Sequence, residues 1–437
     1  MKTIQKDSIL SDYFSPIAFQ RSWGKVEAAL ASTQGELGMI PLKAAEAISA
    51  AALNTDCDTE VILSEMERIG HPLIPFLREL EKDCGEHGTW LHFGATTDNI
   101  THTGLALLMK DALKECSIQQ TLLLENLCTL ALKYAETVMV GRTHSQQALP
   151  ITFGCKVAGW LDEYVRHLER QQGAAERSLS VMMGGAIGSY ASFKGKGPEV
   201  QAGVAQKLGL GEMPLPLRSI TDGWAELASV YSLSAATLAR MAADLKMMGR
   251  TEIGEVFQED GSVGSSTMPQ KRNPVMYNYV LQAWGEIESI VQRMQSIRVV
   301  ADDGDSLCNN VLKEGIVDII KLYYAMLEKS QDIIKTLEVD TSRMQEHLQL
   351  DGGWIMAEPL MFALADELGK TEAHELLHDL AMASRSGGKT LGEIALEHPV
   401  ISKLGKGRIQ EILDPAGYTG ECANLTRQTV ERLKNRL

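Results

Sequence analysis

From Leu227 onward, Tyr231, Ser234, Leu238, Met241, Leu245 and Met248 recur at steps of three and four residues. That spacing keeps them on one stripe of an α-helix about six turns long. A stripe of that length needs partner helices of similar length to cover it. Val280, Ile287, Val291 and Met294 repeat the pattern, and further long helices are predicted over residues 155 to 180 and 312 to 337. Strand-like alternation is scarce, and aromatic residues make up only 5% of the chain, which leaves helix interfaces to Leu, Met, Ala and Ile. The expected class is all-α, built on a central bundle of long helices. Breaks near Gly94 to Gly104, Gly195 to Pro216 and Asp351 to Gly353 divide the chain into three parts. These are an N-terminal helical domain (1–103), a central long-helix domain (104–346) and a C-terminal helical domain (347–437).

Lys and Arg total 42 against 57 Asp and Glu, a net charge of −15. A surface of that sign repels a phosphate backbone or an anionic membrane, so neither nucleic acid nor membrane is an expected partner. The N-terminal MKTIQKDSILSD holds no apolar run of the signal-peptide kind, and no stretch of the chain is apolar enough to span a bilayer. A cytoplasmic protein is expected. The seven cysteines are scattered without a CxxC pair, which fits reduced, mostly buried thiols.

Three polar stretches carry the chemistry. In GSSTMPQKRNP (264–274), Pro269 and Pro274 disfavour helix before them, while Gly261 and Gly264 admit backbone angles closed to other residues. The segment is therefore expected to be an ordered loop that can swing. Lys271 and Asn273 offer donors to a carboxylate, and a serine hydroxyl can act as a base where backbone N–H groups and a lysine stabilise its anion. A turn-rich surface loop is the plainer reading. GRTHSQQALPITFG (141–154) sets Arg142, Thr143, His144, Ser145, Gln146 and Gln147 before a long helix. Histidine moves protons near neutral pH, and the neighbouring hydroxyls and amides suit an anion's oxygens. Without a ligand the same stretch is a helix-entry loop. WLHFGATTDNITHTG (90–104) crowds Thr96, Thr97, Asn99, Thr101, Thr103, His92 and His102 around a turn, where capping of a helix starting near Asn99 and ligand binding are compatible.

Together these stretches resemble the fumarase/aspartase superfamily along nearly the whole chain. GSSTMPQKRNP resembles the family's mobile signature loop, RTHSQQALP its Thr-His segment, and HFGATT its first substrate-binding segment. The resemblance implies a homotetramer around a multi-helix core, with each active site assembled from three subunits. It also implies a reaction without cofactor or metal. A proton is removed beside a carboxylate, an aci-carboxylate forms, and an amine or oxygen group is expelled, usually leaving fumarate. Carried over by position, Ser265 resembles the general base and His144 the proton donor to the leaving group. Thr96, Thr97, Thr143, Gln147, Ser266, Lys271 and Asn273 would bind the substrate. MGGAIGS (183–189) resembles the family's glycine segment near the site.

EILDPAGYTG (411–420), with GSSTMPQKRNPV, most resembles the branch of adenylosuccinate lyases and 3-carboxy-cis,cis-muconate cycloisomerases. Several departures narrow the substrate. Asn278 stands where many members place the glutamate that orients the catalytic histidine, and it carries no charge to stabilise an imidazolium. VADDGDSLCNN (300–310) lacks the arginine usual there, which removes a phosphate clamp. Asn99 and His102 replace aspartates usual in adenylosuccinate lyases. A small di- or tricarboxylate or substituted succinate is the expected substrate, with cycloisomerisation the alternative to elimination. Two rivals belong to other classes. HELLH (374–378) matches a zinc-hydrolase pattern with Glu393 or Glu397 as a third ligand, and the chain could be an inactive structural tetramer of crystallin type.

Overall fold

Five long helices dominate the computed structural model: Thr97–Lys133, Phe153–Ser178, Asp222–Met248, Val275–Ile297 and Ser306–Lys335. It describes residues 10–54, 57–258, 267–268, 271–384 and 388–437. The fold class is all-α. Among the described residues, β structure is limited to three two-stranded sheets. No described helix is long and apolar enough to cross a membrane.

The stripe from Leu227 to Met248 is buried throughout, its polar member Ser234 included. Ser234 accepts a hydrogen bond from Gln171 Nε2 at 3.1 Å and lies 2.9 Å from the Tyr323 hydroxyl. Tyr323 gives its own proton to Gln120 Oε1 at 2.9 Å, so Ser234 is the donor of the pair. A serine on an apolar face is tolerated because its hydroxyl is satisfied inside the bundle.

The chain forms two compact units, each drawn from three separated stretches. The first comprises the residues up to Gln120, His167–Ala239 and Tyr279–Lys329. Its core gathers Trp23, Ile48, Phe76, Ile100, Phe193 and Val204. The helix Pro16–Glu36 starts sharply because Ser15 caps it, accepting from Ala18 N at 3.3 Å, with Pro16 in the first turn. Its core-facing side packs on the helix Leu42–Asn54.

The second unit comprises Thr121–Arg166, Arg240–Asn278 and Ser330–Leu437. Val138, Val140, Leu348, Ile355, Leu360, Leu364, Leu377 and Ile409 fill its core. Val256–Gln258 pairs antiparallel with Leu337–Val339. Val138–Thr143 and Gln146–Thr152 form an antiparallel hairpin where the sequence suggested only a loop before a helix. Two short strands around a two-residue turn give too little alternation to register as strand, yet Thr137 O and Tyr134 O accept from Phe153 N and Gly154 N and lead the hairpin straight into the next helix. Gly154 makes that approach possible. A Cβ there would lie 2.5 Å from the Ala131 carbonyl oxygen.

Candidate active site

In the first unit the TTDN turn is organised by a buried asparagine. Asn99 Oδ1 accepts from Thr96 N at 3.0 Å and from Gly185 N at 3.1 Å, which ties the turn to the MGGAIGS segment. Thr96 and Thr97 are half-buried at the start of the Thr97–Lys133 helix. Thr97 Oγ1 lies 3.3 Å from His71 Nε2. His71 Nδ1 accepts from Leu73 N and Ile74 N, so its proton sits on Nε2 and points at the threonine. Burial, with the charge of His92 beside it, holds the His71 pKa below its ordinary value. His92 behaves oppositely. Burial alone would depress it, but the Glu27 carboxylate 2.6 Å from its Nδ1 raises it above the ordinary value.

Asp98 follows the threonines and carries a cluster of charge. It accepts from Arg218 Nε at 2.8 Å, Lys313 Nζ at 2.9 Å and Asn309 Nδ2 at 3.2 Å, and Lys313 also donates to Thr101 Oγ1 at 2.8 Å. Burial would raise this carboxyl, but Lys313 and Arg218 outweigh burial and hold it well below the carboxylate range. His102 lies against the cluster. Trp224 Nε1 donates to its Nδ1 at 3.3 Å, which leaves the proton on Nε2. Burial, reinforced by the Lys313 charge, pushes its pKa down to about 3. One carboxylate facing two cations and a neutral imidazole leaves a surplus positive charge.

In the second unit the hairpin turn consists of His144 and Ser145, flanked by the paired Thr143 and Gln146. Both turn residues have positive φ, 49° and 61°. Thr143 and His144 are exposed and Gln147 is half-buried. Beneath the hairpin, Arg142 forms a bidentate pair with Glu255, and the His347 ring lies 2.6 Å from the same carboxylate. Lys271 is exposed and Asn273 half-buried, both just before the helix Val275–Ile297. The Asn273 carbonyl accepts from Val275 N at 2.9 Å. Asn278, in the first turn of that helix, is exposed.

Thr143, His144 and Gln147 thus share one hairpin, and Lys271 and Asn273 share one helix entry. Among the described residues no hydrogen bond joins the two groups. Thr96 and Thr97 belong to the other unit. Ser265 and Ser266 lie outside the described residues. The partners His71, Glu27, Arg218, Lys313, Glu255 and His347 carry no motif, and only the fold shows what they touch.

In HELLH, on the helix Lys370–Ser384, His374, Glu375 and His378 are exposed while Leu377 is buried, and the two imidazole rings stack 6.4 Å apart. Glu393 closes a capping box with Thr390, and Glu397 pairs with Lys389. Both proposed third ligands are therefore engaged elsewhere. Among the described residues no three His, Cys, Asp or Glu side chains are grouped to hold a metal ion.

A sequence profile described as Lyase matches residues 3–288, and one described as Adenylosuccinate lyase C-terminus matches residues 353–429. The chain is 34% identical over 400 residues to the N-acetyl-S-(2-succino)cysteine lyase of Dickeya dadantii, covering 91% of this chain and 88% of the relative. It is 36% identical over 409 residues to the adenylosuccinate lyase of Pyrococcus abyssi, covering 93% and 91%. Among solved structures, the 3-carboxy-cis,cis-muconate lactonizing enzyme from Pseudomonas putida superposes with a TM-score of 0.91 at 30% identity, covering 99% of this chain and 98% of that one. With the fold, the three signature stretches and relatives that extend along almost its entire length, the chain belongs to the fumarase/aspartase superfamily of lyases, in the branch of adenylosuccinate lyases and 3-carboxy-cis,cis-muconate cycloisomerases.

Proposed function

We propose that the protein catalyses β-elimination from a substituted succinate to give fumarate. The observation that carries this reading is the chain-long similarity to two lyases whose names each specify a succinyl-bearing compound. In the reaction Ser265 takes the proton from the carbon beside a carboxylate. Lys271 and Asn273 hold that carboxylate as its charge grows, where preorganised donors contribute most. Thr96, Thr97, Thr143, Gln147 and Ser266 bind the remaining oxygens. The surplus positive charge around Asp98, next to Thr96 and Thr97, favours an anionic substrate. The electron pair of the broken C–H bond forms the new double bond, the bond to the leaving group breaks, and His144 protonates the departing atom where that atom is an amine nitrogen or an oxygen.

The leaving group follows from Asn278. An amine or alkoxide must be protonated as it leaves, whereas a thiolate, with a conjugate pKa of about 8.5, departs as an anion at small cost. Asn278 offers no carboxylate to stabilise a protonated leaving-group donor, which suits the easier case. An S-linked succinate is therefore the favoured substrate, in line with the succinocysteine lyase relative. Cycloisomerisation of a carboxymuconate is the second reading, motivated by the superposition on the lactonizing enzyme.

We also propose a homotetramer. Ile118 and Leu122, one turn apart on the Thr97–Lys133 helix, and Leu233 on the Asp222–Met248 helix are exposed in the single chain, as bundle-facing positions would be. Thr143, His144 and Lys271 are likewise exposed, as residues of a site completed by other subunits would be.

The test is a panel of S-succinylcysteine, its N-acetyl form, adenylosuccinate, argininosuccinate, aspartate, malate and carboxymuconate, with fumarate followed by ultraviolet absorbance. Fumarate release from a succinyl compound, with kcat lowered at least ~10²-fold in Ser265→Ala and KM changed less, is the expected result. Comparable turnover in folded Ser265→Ala would overturn the serine-base assignment, and turnover of carboxymuconate alone would select the second reading.

A further inference from the structure

We infer that Arg142, Glu255 and His347 are positioning residues that hold the His144–Ser145 turn in its strained conformation and thereby fix the direction of the His144 imidazole. The inference rests on the elimination reading, in which His144 serves the leaving group.

A two-residue hairpin turn with both φ values positive is the form that Asn-Gly adopts readily and that residues with larger side chains adopt at a cost. His144 and Ser145 occupy it at 49° and 61°. Conformations of this kind persist only where the surroundings over-determine them. The hairpin ladder closes on the turn through Arg142↔Gln147 and Thr143↔Gln146, but its register shifts just before them, between Val140 and Arg142. A second constraint comes from below. Arg142 donates to Glu255 Oε2 at 2.9 Å and to Oε1 at 2.6 Å, and Glu255 is wholly buried. His347, also buried, places Nδ1 2.6 Å from Glu255 Oε1. On the opposite strand Gln147, the register partner of Arg142, donates Nε2 to the His347 carbonyl oxygen at 3.2 Å. Both strands are thus fastened to His347, at the end of the helix Thr341–His347, within five residues of the turn.

The Glu255 backbone is hydrogen-bonded on both sides. Its N–H donates to Met248 O and its carbonyl accepts from Asp340 N, each at 3.0 Å. It immediately precedes the strand Val256–Gln258. Arg142 does not face the reacting atoms in this arrangement, since its guanidinium is spent on Glu255.

The experiment is a double-substitution cycle of Glu255→Gln and His144→Asn, using an amine- or oxygen-linked succinyl substrate of the panel, whose leaving group needs a proton, and reading kcat and KM separately. Glu255→Gln keeps the shape and removes the charge. It is expected to lower kcat about 10²-fold while KM moves less than about 3-fold, the signature of a displaced catalytic group. In the His144→Asn background the same substitution is expected to cost less than about 3-fold, because the group it positions is gone. Glu255→Asp should recover part of kcat. Equal fold-losses in both backgrounds, or an unchanged kcat in folded Glu255→Gln, would overturn the inference. If Glu255→Gln does not fold, Arg142→Lys in the same cycle yields the same two outcomes. Intact turnover in both Ser265→Ala and His144→Asn would remove the elimination reading and this inference with it, whereas intact turnover in Glu255→Gln alone removes only the inference.

Discussion

At the TTDN turn the charges stand beside the polar residues, whereas at the His144 hairpin they lie beneath it. Asp98 directly follows Thr97 in sequence and faces Arg218 and Lys313, so the threonines adjoin a cluster with more positive than negative charge. Glu255 is matched one-to-one by Arg142, with His347 alongside, and the turn above it reaches solvent. The first arrangement gives an electrostatic environment to whatever binds the threonines. The second gives none to His144 directly and sets only its geometry. Charge next to a site changes what it attracts, and charge beneath a site changes where its groups point.

The largest expected effect breaks the first cluster. Asp98→Ala strands Arg218 and Lys313 in a mostly buried setting without their shared anion, a change that costs on the order of 3–5 kcal/mol. Urea unfolding at fixed protein concentration measures it. A loss below about 1 kcal/mol would show the cluster to be screened like a surface pair. The paired replacement of Asp98 by Asn and Lys313 by Met, which removes both charges, should recover part of the loss, since what is costly is the unmatched charge.

The helices were legible in the sequence and the charge clusters were not, for a physical reason. A stripe such as Leu227 to Met248 is written in neighbouring residues, because helical contacts recur every three or four positions. Asp98 and Lys313 are 215 residues apart, Arg142 and His347 are 205 apart, and no local pattern announces either pairing. Thr96, Thr97, Thr143, His144, Gln147, Lys271 and Asn273 are candidates that the sequence offers because signature stretches preserve local order. His71, whose ring meets Thr97 from 26 residues away, is not among them. The hairpin was missed because Val138–Thr143 and Gln146–Thr152 are short and their pairing depends on an unusual His-Ser turn.

A middle-sized effect sharpens the contrast through pH. His102 is held neutral beside the Asp98 cluster, with its pKa pushed down to about 3. In the unfolded chain it titrates near 6.5. Between those values the unfolded state binds a proton that the folded state refuses, so stability falls as pH drops from about 6.5 toward 3, with a limiting slope of about 1.4 kcal/mol per pH unit. The depressed pKa of His71 adds in the same direction, and the raised pKa of His92 opposes it. Asp98, whose carboxyl is depressed, adds its own loss only below about pH 4. Urea midpoints from pH 4.5 to 6.5 should therefore vary less in His102→Asn than in the wild type. Identical slopes in the two proteins would show that His102 is not held neutral by its surroundings.

The smallest effect concerns the hairpin and asks whether His144 lacks charge support of its own. The resemblance places at position 278 the glutamate that orients the histidine in many relatives, and this chain has an exposed asparagine there. Asn278→Glu restores the charge with little burial cost. If His144 protonates the leaving group, an added carboxylate stabilises its imidazolium, and a leaving group that needs a proton should gain in kcat by a few-fold, about what a solvent-exposed charge pair of 0.2–1 kcal/mol supplies. A thiolate leaving group should gain nothing, since it departs without that proton. The informative quantity is the ratio of the two kcat changes, which cancels any general effect of the substitution on folding or assembly. A ratio favouring the amine or oxygen substrate supports His144 as the acid. Equal changes on both substrates would mean that proton delivery to the leaving group does not pass through His144, and that the strained turn beneath it serves some other step.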